Sequence, residues 1–312
     1  MNGLWDDLAA AIELLTRIPV GWIRRTIAMP DLARIVWAYP VVGCIVGAIG
    51  SLVYWLATTL GCPAPLAAIW CVGALVLTTG AFHEDGLADI ADGFGGGRTP
   101  ERKLEIMRDS RAGSYGVIAL VISLALRGAA IALIADPGPV AAALIVAGAA
   151  GRGAIIGPLL LLPPARSDGL AAQGGRPQTQ RAAVGLGIAV LLTLVLAPAG
   201  AGRAATLAGA IGCLVIVEIA RRQIGGYTGD VLGAAEQVVE CLVLTAIGIA
   251  LGLGGAAWLT RFLDAQLFEV APADPLTLAV VALLLGAIAL GASYIPARRA
   301  CRVDPMQALR ME

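Results

Sequence analysis

The sequence predicts an all-α fold, a polytopic membrane helical bundle with about eight transmembrane helices. Three observations predict it. Hydrophobic residues make up 58% of the 312-residue chain and charged residues only 14%, with a mean hydropathy of +0.83, more apolar surface than a soluble core of this size needs to bury. Apolar runs of about 18 or more residues recur from one end to the other, each long enough to cross a bilayer as a helix. The basic residues fall in alternate loops, as the positive-inside rule requires. The 40 glycines suit helices that approach closely in lipid, and no series of short alternating strands marks a β-barrel.

The elements follow in order. Leu4, Leu8, Ile12 and Leu15 recur at helical spacing beside Asp6, Asp7 and Glu13, which predicts an amphipathic surface helix over residues 4–17. No basic region leads an apolar stretch there, so a cleaved signal peptide is not expected. Spans are expected near 35–58, 65–82, 116–135, 139–162, 183–199, 204–220, 237–258 and 276–296. Pro198 and the Gly-rich stretch 199–202 blur the end of the fifth. With the N-terminus and Arg17, Arg24, Arg25 and Arg34 in the cytoplasm, loops 83–115, 163–182 and 221–236 and the C-terminal tail fall on the same side. Only Arg203 and Arg261 lie in the opposite loops. Both termini are thus expected in the cytoplasm, with the chain crossing the inner (cytoplasmic) membrane. Net charge is zero, so nucleic acid is not an expected partner. The six cysteines form no CxxC pair and have no histidine at ligand spacing; they read as small packing residues.

One segment breaks the apolar pattern: His83, Glu84, Asp85, Gly86, Leu87, Ala88, Asp89, Ile90, Ala91, Asp92 and Gly93. Asp85, Asp89 and Asp92 are spaced so that, on a helix, they project within about 60° of one another. Three like charges on one stripe repel, more so beside lipid, and a cation relieves the repulsion. Oxygen-only ligands point to a hard ion such as Mg²⁺. Glu84 points about 100° away from Asp85 and is a weaker candidate. His83, the only histidine, is a candidate general base, phosphate donor or packing residue. Thr99 and Pro100 are expected to start a short helix over about 100–110. Arg108 and Arg111, with Asp109 between them, are placed to hold a pyrophosphate. Arg152, alone in an apolar span, is expected to be functional or paired, and Arg127 raises the same question. Arg166, Thr228 and Asp230 lie in two further Gly-containing patches on the same side, where glycine permits close backbone approach. A cation cluster, arginines and Gly-rich loops at one membrane face fit phosphoryl or nucleotidyl transfer.

These residues carry a resemblance. LTRIPV (15–20), YPVVGCIVGAI (39–49), GAFHEDGLADIADG (80–93), MRDSRAGSYG (107–116), ARSDGL (165–170) and GGYTGDVLGAAEQVVE (225–240) resemble, in order, the segments of the cobalamin synthase family, the adenosylcobinamide-GDP ribazoletransferases. The resemblance covers about 1–245. It implies an integral membrane enzyme that uses Mg²⁺ to join adenosylcobinamide-GDP to α-ribazole, or its 5′-phosphate, with release of GMP. Glu84 stands where the family pattern is expected to be apolar, so no family role is carried to it. The fainter likeness of DGLADIADG to lipid-type CDP-alcohol phosphotransferases leaves that activity as the alternative, and self-association into a homo-oligomer stays open.

Residues 246–312 look different. DPLT (274–277), ASYIPARRA (292–300) and DPMQALR (304–310) resemble the last two spans of FtsX-like permeases of ABC exporters. The chain is therefore expected to be a fusion joined near 241–248, its tail a two-helix membrane hairpin with a basic end. A permease fragment is the non-enzymatic alternative, but no P-loop occurs in the chain and ATP-driven transport is not expected.

Overall fold

The computed structural model describes residues 2–21 and 31–263. The chain divides into two compact units, Met1–Gly252 and Leu253–Glu312. The second is described only as far as Leu263, so the span expected at 276–296 and most of the tail expected from 246 lie outside the described residues. Thirteen α-helices occur among the described residues: α1 (Asn2–Leu15), α2 (Leu32–Ile35), α3 (Tyr39–Thr59), α4 (Ala64–Thr79), α5 (Phe82–Gly96), α6 (Pro100–Ile106), α7 (Ser114–Ile134), α8 (Pro137–Ala154), α9 (Ile156–Leu161), α10 (Leu170–Gln173), α11 (Thr179–Leu196), α12 (Gly202–Ile224) and α13 (Gly229–Leu263). No strand is present among them; Pro164 and Tyr227 form an isolated bridge that ties two loops together.

This is a multi-pass membrane protein. Among the described residues, six helical stretches are long and apolar enough to cross a bilayer: Leu32–Thr59, Ser114–Ile134, Pro137–Leu161, Thr179–Leu196, Gly202–Ile224 and Gly229–Gly255. The pair α4 and α5 makes a seventh candidate, bent by 90°. Each of the first seven expected spans therefore falls on a described helix, but the second needs correction. It ends as the 16-residue α4, about 24 Å long at 1.5 Å per residue, where the chain turns sharply. Gly80 (φ 68) and Ala81 (φ 59) make the turn in successive left-handed conformations. Glycine takes that conformation freely, whereas alanine is strained there. The apolar α4 thus stops at Thr79, and the charged α5 leaves it at a steep angle.

The packing is that of a bundle in lipid. Trp55, Trp70, Leu77, Val121, Leu191 and Leu207 face outward, while small residues line the helix seams. The α3–α8 seam is closest at Gly43 and Gly148, where a side-chain carbon on either would collide with the other's backbone. The expected surface helix forms as α1, with Ala9, Ala10, Ala11, Ile12 and Leu15 buried and Leu4 and Trp5 exposed.

Candidate active site at the membrane face

The site begins with α5, which is fixed by charge as well as by packing. Gly86 lies against the Asp230 backbone and Gly233 against His83, so α5 and α13 approach too closely for side chains at those glycines. In the first turn of α5, Glu84 accepts a hydrogen bond from Arg127 of α7 at 2.9 Å. Arg127 also reaches Glu240 of α13 at 3.3 Å. Arg152 of α8 pairs with Glu236 at 2.5 Å and with Glu240. Three carboxylates and two guanidiniums thus form one interior network linking α5, α7, α8 and α13. Arg127 is 1% exposed, Arg152 2% and Glu236 0%. Charges this deep persist only when paired.

His83 sits beside this network, its Nδ1 3.6 Å from Glu236 Oε2. It is 1% exposed, and neither ring nitrogen has a hydrogen-bond partner. Burial, then the neighbouring Arg152 charge, hold its pKa well below the usual histidine value.

The stripe on α5 divides. Asp85 is exposed and Asp89 half-buried, and both line a cavity of about 400 Å³ with Glu84, Arg108, Asp109 and Ser110. Burial, then the charges of Asp85, Asp230 and Asp92, push the Asp89 carboxyl up to about 7; Arg166 opposes them. Asp92 is engaged elsewhere. Its two oxygens accept the backbone N–H groups of Gly113 at 2.7 Å and Gly116 at 2.9 Å. It therefore caps the N-terminus of α7, where the helix dipole favours a negative charge. The expected three-carboxylate ligand set is not gathered: no cluster of three or more His, Cys, Asp or Glu side chains arranged for a metal occurs among the described residues. The donor chemistry of Asp85 and Asp89 still fits Mg²⁺, which binds through one or two carboxylates and keeps other positions for water and phosphate oxygens.

The other expected site residues fall into three groups. Arg108 bonds Asp168 at 2.6 Å, joining the α6–α7 loop to the loop before α10. Asp109 pairs locally with Arg111 at 2.8 Å, and bonds from Arg111 lower the Asp109 pKa to about 2. Arg166 approaches Asp230 at 3.5 Å, and Thr228 Oγ1 donates to the same carboxylate at 3.0 Å. Arg152 belongs to the interior network instead, sealed away from both loops. The expected short helix forms as α6, with the Thr99 side chain accepting from Arg102 N–H at 3.3 Å.

A second, mostly apolar cavity of about 200 Å³ borders α5 at Phe82 and His83. Leu15, Leu32, Tyr39 and Leu159 line it, with Arg166 and Thr228. Asp89, which lines the first cavity, feels the charges of both Asp230 and Arg166, and Arg166 lines the second.

The comparisons decide the family. The model of the cobalamin-5-phosphate synthase family matches residues 7–249. The chain belongs to that family. A relative named adenosylcobinamide-GDP ribazoletransferase from Bradyrhizobium diazoefficiens is 48% identical over 239 residues, covering 76% of this chain and 91% of its own. Relatives of the same name from Xanthobacter autotrophicus (46% identical; 79% and 97% covered) and Azorhizobium caulinodans (45%; 77% and 94%) match similarly. No solved structure matches the chain. The residues that sequence reasoning left without a role were Glu84, Arg127, Glu236 and Glu240; the available signal was the cost of an arginine in an apolar span.

Proposed function

We propose that this chain is an inner-membrane, Mg²⁺-dependent adenosylcobinamide-GDP ribazoletransferase whose site faces the cytoplasm. The observation that carries the reading is the cavity in which Asp85 and Asp89 meet Arg108 in a chain of this family. Asp85 and Asp89 are the residues that would hold Mg²⁺, which supplies neutralisation of the diphosphate oxygens when bound. Arg108 and Arg111 steady the departing nucleotide by charge-assisted hydrogen bonds. Arg166 and Asp230 orient the incoming hydroxyl. That hydroxyl oxygen forms a bond to the phosphorus attached to cobinamide, and the bond from that phosphorus to the bridging oxygen breaks. GMP leaves with the bonding electron pair, and the hydroxyl proton passes to the carboxylate cluster. The basic residues of the site-bearing loops, among them Arg98, Arg102, Lys103 and Arg108, support the cytoplasmic orientation. We read residues 246–312 as an appended segment without its own activity.

The test is turnover by the purified full chain in lipid nanodiscs with adenosylcobinamide-GDP and Mg²⁺. GMP release that requires α-ribazole or its 5′-phosphate is expected. Product formation only from lipid alcohols, or no turnover, would overturn the reading.

A further inference from the structure

The apolar cavity beside α5 contains two polar groups that the protein leaves unsatisfied. His83 lines it, nearly fully buried, with both ring nitrogens unpartnered. Arg166 lines it too, and its Nη1 is likewise buried without a partner. Buried polar atoms are seldom left unpaired. An apolar chamber with a few convergent polar groups is the usual form of a small-molecule site. The ligand it suits has a flat apolar body, a polar atom for the imidazole, and oxygens for the guanidinium.

Resting on the transferase reading, we propose that this cavity is the nucleoside subsite and binds α-ribazole. The benzimidazole base lies among Leu15, Leu32, Tyr39 and Leu159, and the ribose is directed toward Arg166 and Thr228. The base has one free ring nitrogen, an acceptor that a single N–H of His83 satisfies. The other substrate fits poorly. A corrin macrocycle with its amide arms is far larger than a cavity of about 200 Å³, and guanine's amide and amine edges would meet mostly hydrocarbon. The diphosphate therefore belongs to the Asp85–Asp89 cavity, and Arg166 and Asp230 stand where the two substrates meet. The same walls select the base. A nucleoside carrying a purine with an exocyclic amine leaves polar atoms unpaired and should show a KM at least about tenfold higher.

The test uses the full chain in nanodiscs. Leu159 and Ala172 both line the cavity, and Leu159→Trp and Ala172→Phe each fill it. Each is expected to raise the KM for α-ribazole at least about tenfold and to leave that for adenosylcobinamide-GDP within about twofold. An unchanged α-ribazole KM in both variants, or a rise confined to the cobinamide substrate, overturns the assignment. A measurement on the unmodified protein covers the case in which the variants fail to fold. An azidobenzimidazole riboside should cross-link to residues 155–177 or 227–233, and labelling confined to 107–112 also overturns the assignment. Failure of the broader reading is distinguishable, because then the wild-type protein releases no GMP in response to α-ribazole.

Discussion

Arg152→Met isolates one pair of the interior network. Methionine keeps an apolar stem of similar length and removes the charge. Glu236, fully buried, then keeps the Gln237 side-chain amide at 2.9 Å as its hydrogen-bond donor, with His83 at 3.6 Å. Glu240 retains Arg127 at 3.3 Å. One carboxylate therefore loses its counter-charge while the other keeps one. Breaking a buried pair from one side costs about 3–5 kcal/mol, because the remaining charge stays buried. Replacing both partners, as Arg152→Met with Glu236→Gln, should recover most of that loss. A double-mutant cycle should thus show a coupling on the order of 2–4 kcal/mol. The assay is reversible denaturant unfolding in mixed micelles of wild type, both single variants and the double variant. An Arg152→Met protein within about 0.5 kcal/mol of wild type, or strictly additive effects, would refute the Arg152–Glu236 pair as a stabilising link between α8 and α13.

Asp85→Asn and Asp89→Asn should each lower turnover by at least about a hundredfold while membrane insertion is unchanged; near-normal rates in both would remove the metal assignment. Asp92→Ala should instead lower stability by about 1–2 kcal/mol through loss of the α7 cap and leave the Mg²⁺ activation constant nearly unchanged. A Mg²⁺ dependence weakened as in Asp89→Asn would return Asp92 to the ligand set. The folded Asp89 carboxyl titrates at about 7, above its ordinary 3.8, so the folded state holds the proton more tightly. That contribution to stability is complete below pH 3.8 and is lost as pH rises through 7. Metal-free protein should therefore become less stable between about pH 4 and 7, and Asp89→Asn should flatten that part of the unfolding profile. Truncation after Gly252, where the first compact unit ends, should preserve α-ribazole-dependent GMP release; complete loss in a well-inserted truncation would give the tail a role.

The spans were legible because lipid exposure demands long apolar runs. The bend after α4 was less so. Gly80 is a recognisable helix stop, but nothing local marks Ala81 as left-handed. Periodicity correctly aligned Asp85 with Asp89 on one face of α5. It could not show that the start of α7 lies opposite Asp92, because that contact joins residues on either side of a loop. Arg127 and Arg152 announced that partners were needed without naming them, since Glu84, Glu236 and Glu240 come from other helices. Glu84 was set aside for departing from an expected apolar position, yet in the fold it is the residue that ties α5 to Arg127. Arg152 was assigned to substrate because an isolated arginine suggests function, and the structure gives its charge to α13 instead.

The most direct measurement is Mn²⁺ binding by electron paramagnetic resonance on the full chain in nanodiscs, with and without adenosylcobinamide-GDP. A saturable Mn²⁺ signal that tightens with the diphosphate substrate, and is absent from the Asp85→Asn/Asp89→Asn double variant, is the expected result. Equal Mn²⁺ binding by wild type and the double variant would contradict the idea that these two carboxylates grip a divalent ion at the membrane face.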